Sequence, residues 1–207
     1  RHMPRLWVPF VYAFVDKFTF GALAVLLAAL FARHVENDVQ WTAAASLVFW
    51  FGFLVFCWPA GLLGRRIGLR PLVVLGSAAY GVVLLAMGSA GLWGLMLLNL
   101  MLGVTCAFQT VPMYALAGEL SAPTERGAAM GAFNALGSLG MLVGIAVCAT
   151  VRERAAEPFP LAFGVAGGLE IAVSLAVGLA LLAGRRFTPS SQAALPTPAH
   201  SSQPVPE

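Results

Sequence analysis

Charge is what this sequence has least of. Only 10% of its 207 residues are Asp, Glu, Lys or Arg, where a soluble domain carries roughly 25%. With 59% hydrophobic residues and a mean hydropathy of +0.85, a water-soluble fold is excluded: folded surface grows with chain size, and the interior could not hide this much apolar area. Disorder of the whole chain is excluded for the same reason. The formal net charge of +3 comes from a shortage of acids, since there is one lysine, Lys17. No basic run of the kind that follows phosphates is present, which argues against a nucleic-acid partner. Histidine is equally scarce. His2, His34 and His200 all fall outside the apolar stretches, so an intramembrane serine–histidine nucleophile or a His-ligated metal site lacks its base or its ligands. A phosphate-binding glycine loop is also missing, which argues against direct ATP use. No cofactor or metal is expected. The three cysteines, Cys57, Cys106 and Cys148, lie in apolar stretches and read as packing residues rather than a disulfide framework.

What the chain does have is long apolar runs. A helix crossing the hydrocarbon core needs ~20 mostly apolar residues. Six segments qualify: Trp7–Ala32, Trp41–Leu63, Pro71–Gly88, Leu92–Ala117, Arg126–Thr150 and Phe159–Gly184. Their apolar runs are continuous rather than alternating, which selects helices over barrel strands. The expected fold is therefore an all-α, integral-membrane six-helix bundle over residues 1–187. The first segment is too long for a signal peptide and no small-residue cleavage site follows it. Arg1, Arg5, Arg65, Arg66, Arg70, Arg126, Arg185 and Arg186 gather on one side, against Arg33, Arg152 and Arg154 on the other. The positive-inside rule then puts both termini in the cytoplasm. Trp7, Trp41, Trp58 and Trp93 sit near segment ends, where indoles anchor at headgroup level; Trp50 does not and reads as a packing residue. Residues 188–207 are rich in proline and serine and read as a disordered cytoplasmic tail with no assigned role.

Between the second and third segments the chain reads Gly61-Leu-Leu-Gly-Arg65-Arg66-Ile-Gly68-Leu69-Arg70. Physically, Gly68 allows a short reversal, and the arginines hold the loop at the cytoplasmic face and can meet helix carbonyl ends. The stretch resembles the Gly-x-x-x-Asp-Arg-x-Gly-Arg-Arg/Lys loop of the major facilitator superfamily of secondary transporters. Gly61, Arg66, Gly68 and Arg70 match; Arg65 replaces the family's Asp, which leaves that loop's usual interhelical salt bridge without its acid. Gly118-Glu119-Leu-Ser-Ala-Pro123-Thr-Glu125-Arg126-Gly127-Ala-Ala-Met-Gly131 is similar to the family's loop between the fourth and fifth helices of a half. Gly137, Gly140 and Gly144 continue that pattern, but Ile145 stands where the antiporter signature has Pro. Asp16-Lys17-Phe18 is similar to an Asp-Arg-Phe stretch of bacterial members. The family has twelve helices in two six-helix halves, so the resemblance implies the carboxy-terminal half, with an amino-terminal half absent from this sequence.

Ionisable residues deep in a membrane cost about 2.5–3.5 kcal/mol each on insertion scales and must face protein or water. Asp16, Lys17 and Glu170 are such residues. Successive helical residues point about 100° apart, so Asp16 and Lys17 are not expected to pair with each other. Asp16 reads either as a coupling-proton or cation site, with Lys17 a counter-charge or anion ligand, or as part of a structural charge cluster. Glu170 reads as a proton site by depth. The resemblance implies a peripheral helix instead, with a protonated or hydrogen-bonded Glu packed where glycines admit a neighbour. In the fourth segment Asn99, Cys106 and Thr110 share a face, flanked by Gln109, and Pro112 is expected to bend the helix. The resemblance makes Asn99, Gln109 and Thr110 candidate substrate contacts; interhelical hydrogen bonding is the alternative. In the fifth segment Gly137, Gly140 and Gly144 form a packing face and Asn134, Ser138 and Met141 a second face turned to the cavity. The third segment, with neither charge nor amide, reads as lipid-facing.

The leading function is transport of a small solute by alternating access, with proton coupling available through Asp16 or Glu170. Expected partners are the solute, membrane lipids, protons and the absent half, in a bacterial-type cytoplasmic membrane. The competing reading is a non-transporting six-helix scaffold or assembly subunit. An intramembrane enzyme is disfavoured, Gly137-Ser138-Leu139-Gly140 resembling a nucleophile setting only superficially.

Overall fold

The computed structural model describes residues 6–35, 38–155 and 157–186. The sequence expectations on Arg1, Arg5, His2, His200 and the tail 188–207 lie outside the described residues, and the side chains of Arg185 and Arg186 do too. Six helices account for the described fold, in the order α1 (Trp7–Phe31), α2 (Asp38–Ile67), α3 (Leu69–Met87), α4 (Leu92–Leu120), α5 (Arg126–Arg154) and α6 (Pro158–Arg186). Each is long and apolar enough to cross a membrane, and there is no strand among the described residues. Pro59 and Pro112 sit inside α2 and α4, which run on through them.

α1 packs mainly on α5 and also on α6, α2 packs on α4, and α3 lies between α4 and α6. Small residues make the first of these contacts possible. A Cβ on Gly140 would overlap the Phe14 carbonyl, and one on Gly144 the Phe18 carbonyl. The glycine face of α5 is thus the seat of the α1 backbone. α3 and α6 approach equally closely where Gly81 meets Gly167 and the Cβ of Glu170. Gly68 joins α2 to α3 alone, with φ +93°, and its N–H donates to the Gly64 carbonyl at 3.0 Å. Only glycine reaches that conformation without strain, so the tight reversal expected at this residue has a backbone cause.

Two apolar clusters fill the bundle. One, at the end formed by the carboxy-terminal parts of α1 and α3, holds Leu26, Leu30, Phe31, Leu84, Met87, Leu95 and Phe163. The other holds Val8, Tyr12, Val73, Met113, Leu116, Phe133 and Val177. Along α1, α3, α4 and α6 buried polar residues fall between these clusters: Asp16, Thr19, Ser77, Gln109, Glu170 and Ser174. A polar layer between two apolar layers is therefore the main internal feature of the fold.

Two expectations need correction. Trp50 is not a buried packing residue: it is 49% exposed and stacks edge-on against Phe49 and Phe53. The indole is broad enough to reach its helical neighbours while its outer face stays free. α3 is lipid-facing only in part. Leu75, Val82 and Leu85 are exposed, but Ser77 and Tyr80 are fully buried against the rest of the bundle. A hydroxyl carries too little hydropathy signal to mark that face in the sequence.

Candidate functional site

Glu170 is the centre of the polar layer. It is fully buried, and its carboxyl is reached from three other helices. Ser77 of α3 donates to Oε2, and Ser174, one turn along α6, donates to the Ser77 oxygen at 2.8 Å. Gln109 of α4 reaches both carboxyl oxygens through Nε2 at 3.4 and 3.5 Å. Thr19 of α1 lies 3.2 Å from Oε1, and its hydroxyl also meets the Asp16 carbonyl at the shorter distance of 2.8 Å. Thr19 has one hydrogen to give, so it can donate to only one of these two oxygens. The Gln109 Oε1 and the Tyr12 hydroxyl are buried beside this layer with no hydrogen-bond partner.

Asp16 stands on the same turn of α1 and is 3% exposed. Its carboxylate lies 3.3 Å from the Lys17 ammonium. The two consecutive residues therefore do pair, against the expectation from their 100° separation. The reason is reach: the four-carbon lysine stem curls back far enough to offset the helical angle. Lys17 is only partly buried, with its ammonium 5.5 Å from the Phe20 ring centre. No other ion pair is present among the described residues.

A cavity of about 190 Å³ opens beside Lys17, between α1, α4 and α5, and Asn134 and Ser138 line it. Asn134 accepts from the Tyr114 hydroxyl at 3.3 Å. Another cavity, of about 210 Å³, is lined by Asn99 together with Phe20, Thr42, Ser46 and Trp50. Asn99 donates to the Leu95 carbonyl at 2.9 Å, and its Oδ1 is buried without a partner. Thr110 is half-buried and lies 3.5 Å from the Cys106 sulfur.

The sequence candidates thus separate into three places. Glu170 and Gln109 come together in the interior, so Gln109 faces α6 and not an open cavity. Asp16 touches that layer through its own backbone and faces Lys17, which with Asn134 borders one cavity. Asn99 borders another, and Thr110 belongs to neither. The loop residues Arg65, Arg66, Gly68, Arg70 and Arg126 are exposed at helix ends, with Gly61 half-buried on α2. Ser77, Thr19, Ser174 and Tyr12 were missed by sequence reasoning. Their only signal is a hydroxyl near the middle of an apolar run, and such residues also bond to their own helix, as Ser46, Thr105 and Thr150 do here.

Six membrane-length helices enclosing a polar layer suit a solute-moving repeat. The family model for the Major Facilitator Superfamily matches residues 9–205. The chain belongs to the Major Facilitator Superfamily. It is accordingly a multi-pass membrane protein of a transporter family, and its six helices fit one half of the superfamily's fold. No curated protein matches the chain. Members of the superfamily are transporters rather than enzymes. Within that frame the buried Glu170 layer and the Asp16–Lys17 pair beside its cavity are where this superfamily member, among the described residues, carries carboxylate and ammonium groups inside its bundle.

Proposed function

We propose that this chain is the carboxy-terminal half of a secondary transporter that moves a small solute by alternating access, with uptake or release of a proton at Asp16. Both termini lie on the cytoplasmic side of a bacterial-type cytoplasmic membrane, and an amino-terminal six-helix half completes the central cavity. The observation that carries this reading is the Asp16–Lys17 pair: one carboxylate and one ammonium 3.3 Å apart at the edge of a cavity, within an otherwise apolar α1. Retaining a charge pair in a membrane helix is costly, and a site that must change charge during a transport cycle is a physical reason to retain it. Asn134 adds a polar group to the same cavity, and Glu170, hydrogen-bonded by Gln109, supplies a second titratable carboxyl within the bundle.

The test uses the full-length protein in proteoliposomes with an imposed pH gradient. Asp16→Asn is expected to abolish gradient-driven solute movement while leaving expression and monodispersity unchanged. Transport with an unaltered rate and an unaltered pH dependence in that variant would remove Asp16 from the mechanism. If the native gene encodes no further spans and no solute moves, the protein is the scaffold instead.

A further inference from the structure

The chemistry of the Lys17 cavity is one-sided. Lys17 is the lysine of this chain, and the cavity it borders is lined by Asn134 and Ser138 with Gly137, Met113 and Met141. The lysine stem lies on Gly137, where a Cβ would come to 3.0 Å from the lysine Cγ; the missing side chain gives the stem its place against α5. Asn134 uses Oδ1 to accept from Tyr114, which leaves its Nδ2 hydrogens as donors without a partner among the described residues. Ser138 gives its hydrogen to the Asn134 carbonyl. An ammonium and an amide donor meet a ligand here, and the lining contains no carboxylate. The sulfurs of Met113 and Met141 and the ring of Phe133 supply an adaptable apolar wall.

Charge balance then couples the ligand to Asp16. The titratable groups around this pair are Asp16 and Lys17 on α1, Cys106 and Tyr114 on α4, Tyr80 on α3 and Glu170 on α6. Lys17 is the only cation among them. A ligand anion arriving at Lys17 would place two negative charges on one ammonium and leave the buried Asp16 carboxylate without its compensating charge. One proton on Asp16 restores neutrality.

We propose that the Lys17 cavity is the binding site for a small organic carboxylate, which takes Lys17 from Asp16 while Asp16 accepts one proton from water. The carboxylate binds Lys17 and the Asn134 amide; its apolar body rests on the methionines. One proton enters per monovalent anion, and charge is conserved at the site. This rests on the transport reading above, and it specifies the solute class that such a transporter carries.

The test reads binding directly, so it stands apart from transport. The purified full-length protein is treated with an amine-acylating reagent, and modification of the Lys17 peptide is followed by mass spectrometry with lactate, benzoate, succinate or the matching neutral amides present. Carboxylates are expected to slow acylation of Lys17 several-fold while the amides leave it unchanged. In weakly buffered solution, lactate or benzoate binding is expected to take up about one proton per site, and Asp16→Asn to bind the anion with no proton uptake. Protection by neither series, or equal protection by both, would overturn the anion site. Protection without proton uptake in the unaltered protein would overturn the exchange with Asp16. Lys17→Arg, which keeps the charge, is expected to retain anion-linked proton uptake, whereas Lys17→Gln loses it; loss in both, with the protein still monodisperse, counts against a charge-based site. Absence of solute movement in vesicles with Lys17 protection intact defeats the transport reading alone.

Discussion

Gly140→Val is expected to unseat α1 from α5 and to leave little folded protein. At Gly140 a Cβ would fall onto the backbone carbonyl of Phe14, and at Gly144 onto that of Phe18. Overpacking costs about 1–3 kcal/mol where side chains can yield. Here the obstruction is backbone held inside a helix, so the whole of α1 must withdraw. Withdrawal would loosen the α1 residues that close the polar layer, Asp16 and Thr19, and the Lys17 stem seated on Gly137. Size-exclusion profiles and thermal melting in detergent would read the effect: a shift to aggregate or a loss of the melting transition is expected. Gly131→Ala is the control, because nothing lies within 4 Å of a Cβ there. A Gly140→Val protein that melts like the parent would mean that α1 and α5 do not meet face to face.

Glu170→Ala should cost nearly as much, for a different reason. The carboxyl is the shared partner of Ser77 and Gln109 and lies within reach of Thr19. Removing it strands those groups in an apolar interior, at about 1–3 kcal/mol for each buried group left without a partner. It also leaves a void between the two apolar clusters. Glu170→Gln keeps one acceptor oxygen at the same volume and turns the other into a donor that the Ser77 or Thr19 hydroxyl oxygen can accept, so it is expected to stay within about 1 kcal/mol of the parent, roughly the net worth of one hydrogen bond. Melting temperatures of the two variants, measured side by side, decide the point. If alanine and glutamine are equally mild, Glu170 is not holding the four helices together. If glutamine is as damaging as alanine, the layer needs both acceptor oxygens of the carboxyl and not merely a polar group of that size.

The contrast between these residues shows where sequence reasoning was sufficient. Gly137, Gly140 and Gly144 recur at helical spacing, and that period alone identifies a common face. Glu170 could be singled out because a carboxylate in an apolar run is rare. Its partners could not: Ser77, Thr19 and Ser174 are ordinary hydroxyls on separate helices, and nothing local distinguishes them from Ser46 or Thr150, which bond to their own backbones. The Asp16–Lys17 pair was misjudged because helical angle was considered without side-chain length. Gln109 was expected at a cavity with Thr110, its neighbour in sequence; a rotation of 100° sends one inward to Glu170 and the other to Cys106.

By itself the sequence determined that this is a membrane protein with six apolar helices, placed each of them apart from a few residues at the ends, and marked where the chain can reverse at Gly68. These follow from hydropathy and local backbone chemistry, which act within one segment. The tertiary structure alone decided that α1, α3, α4 and α6 bring their polar groups to one level around Glu170, and that Lys17 opens onto Asn134. Helical period fixes the faces of one helix relative to each other, but the rotation and depth of that helix against its neighbours come from close packing, and it is packing that brings distant residues into one site.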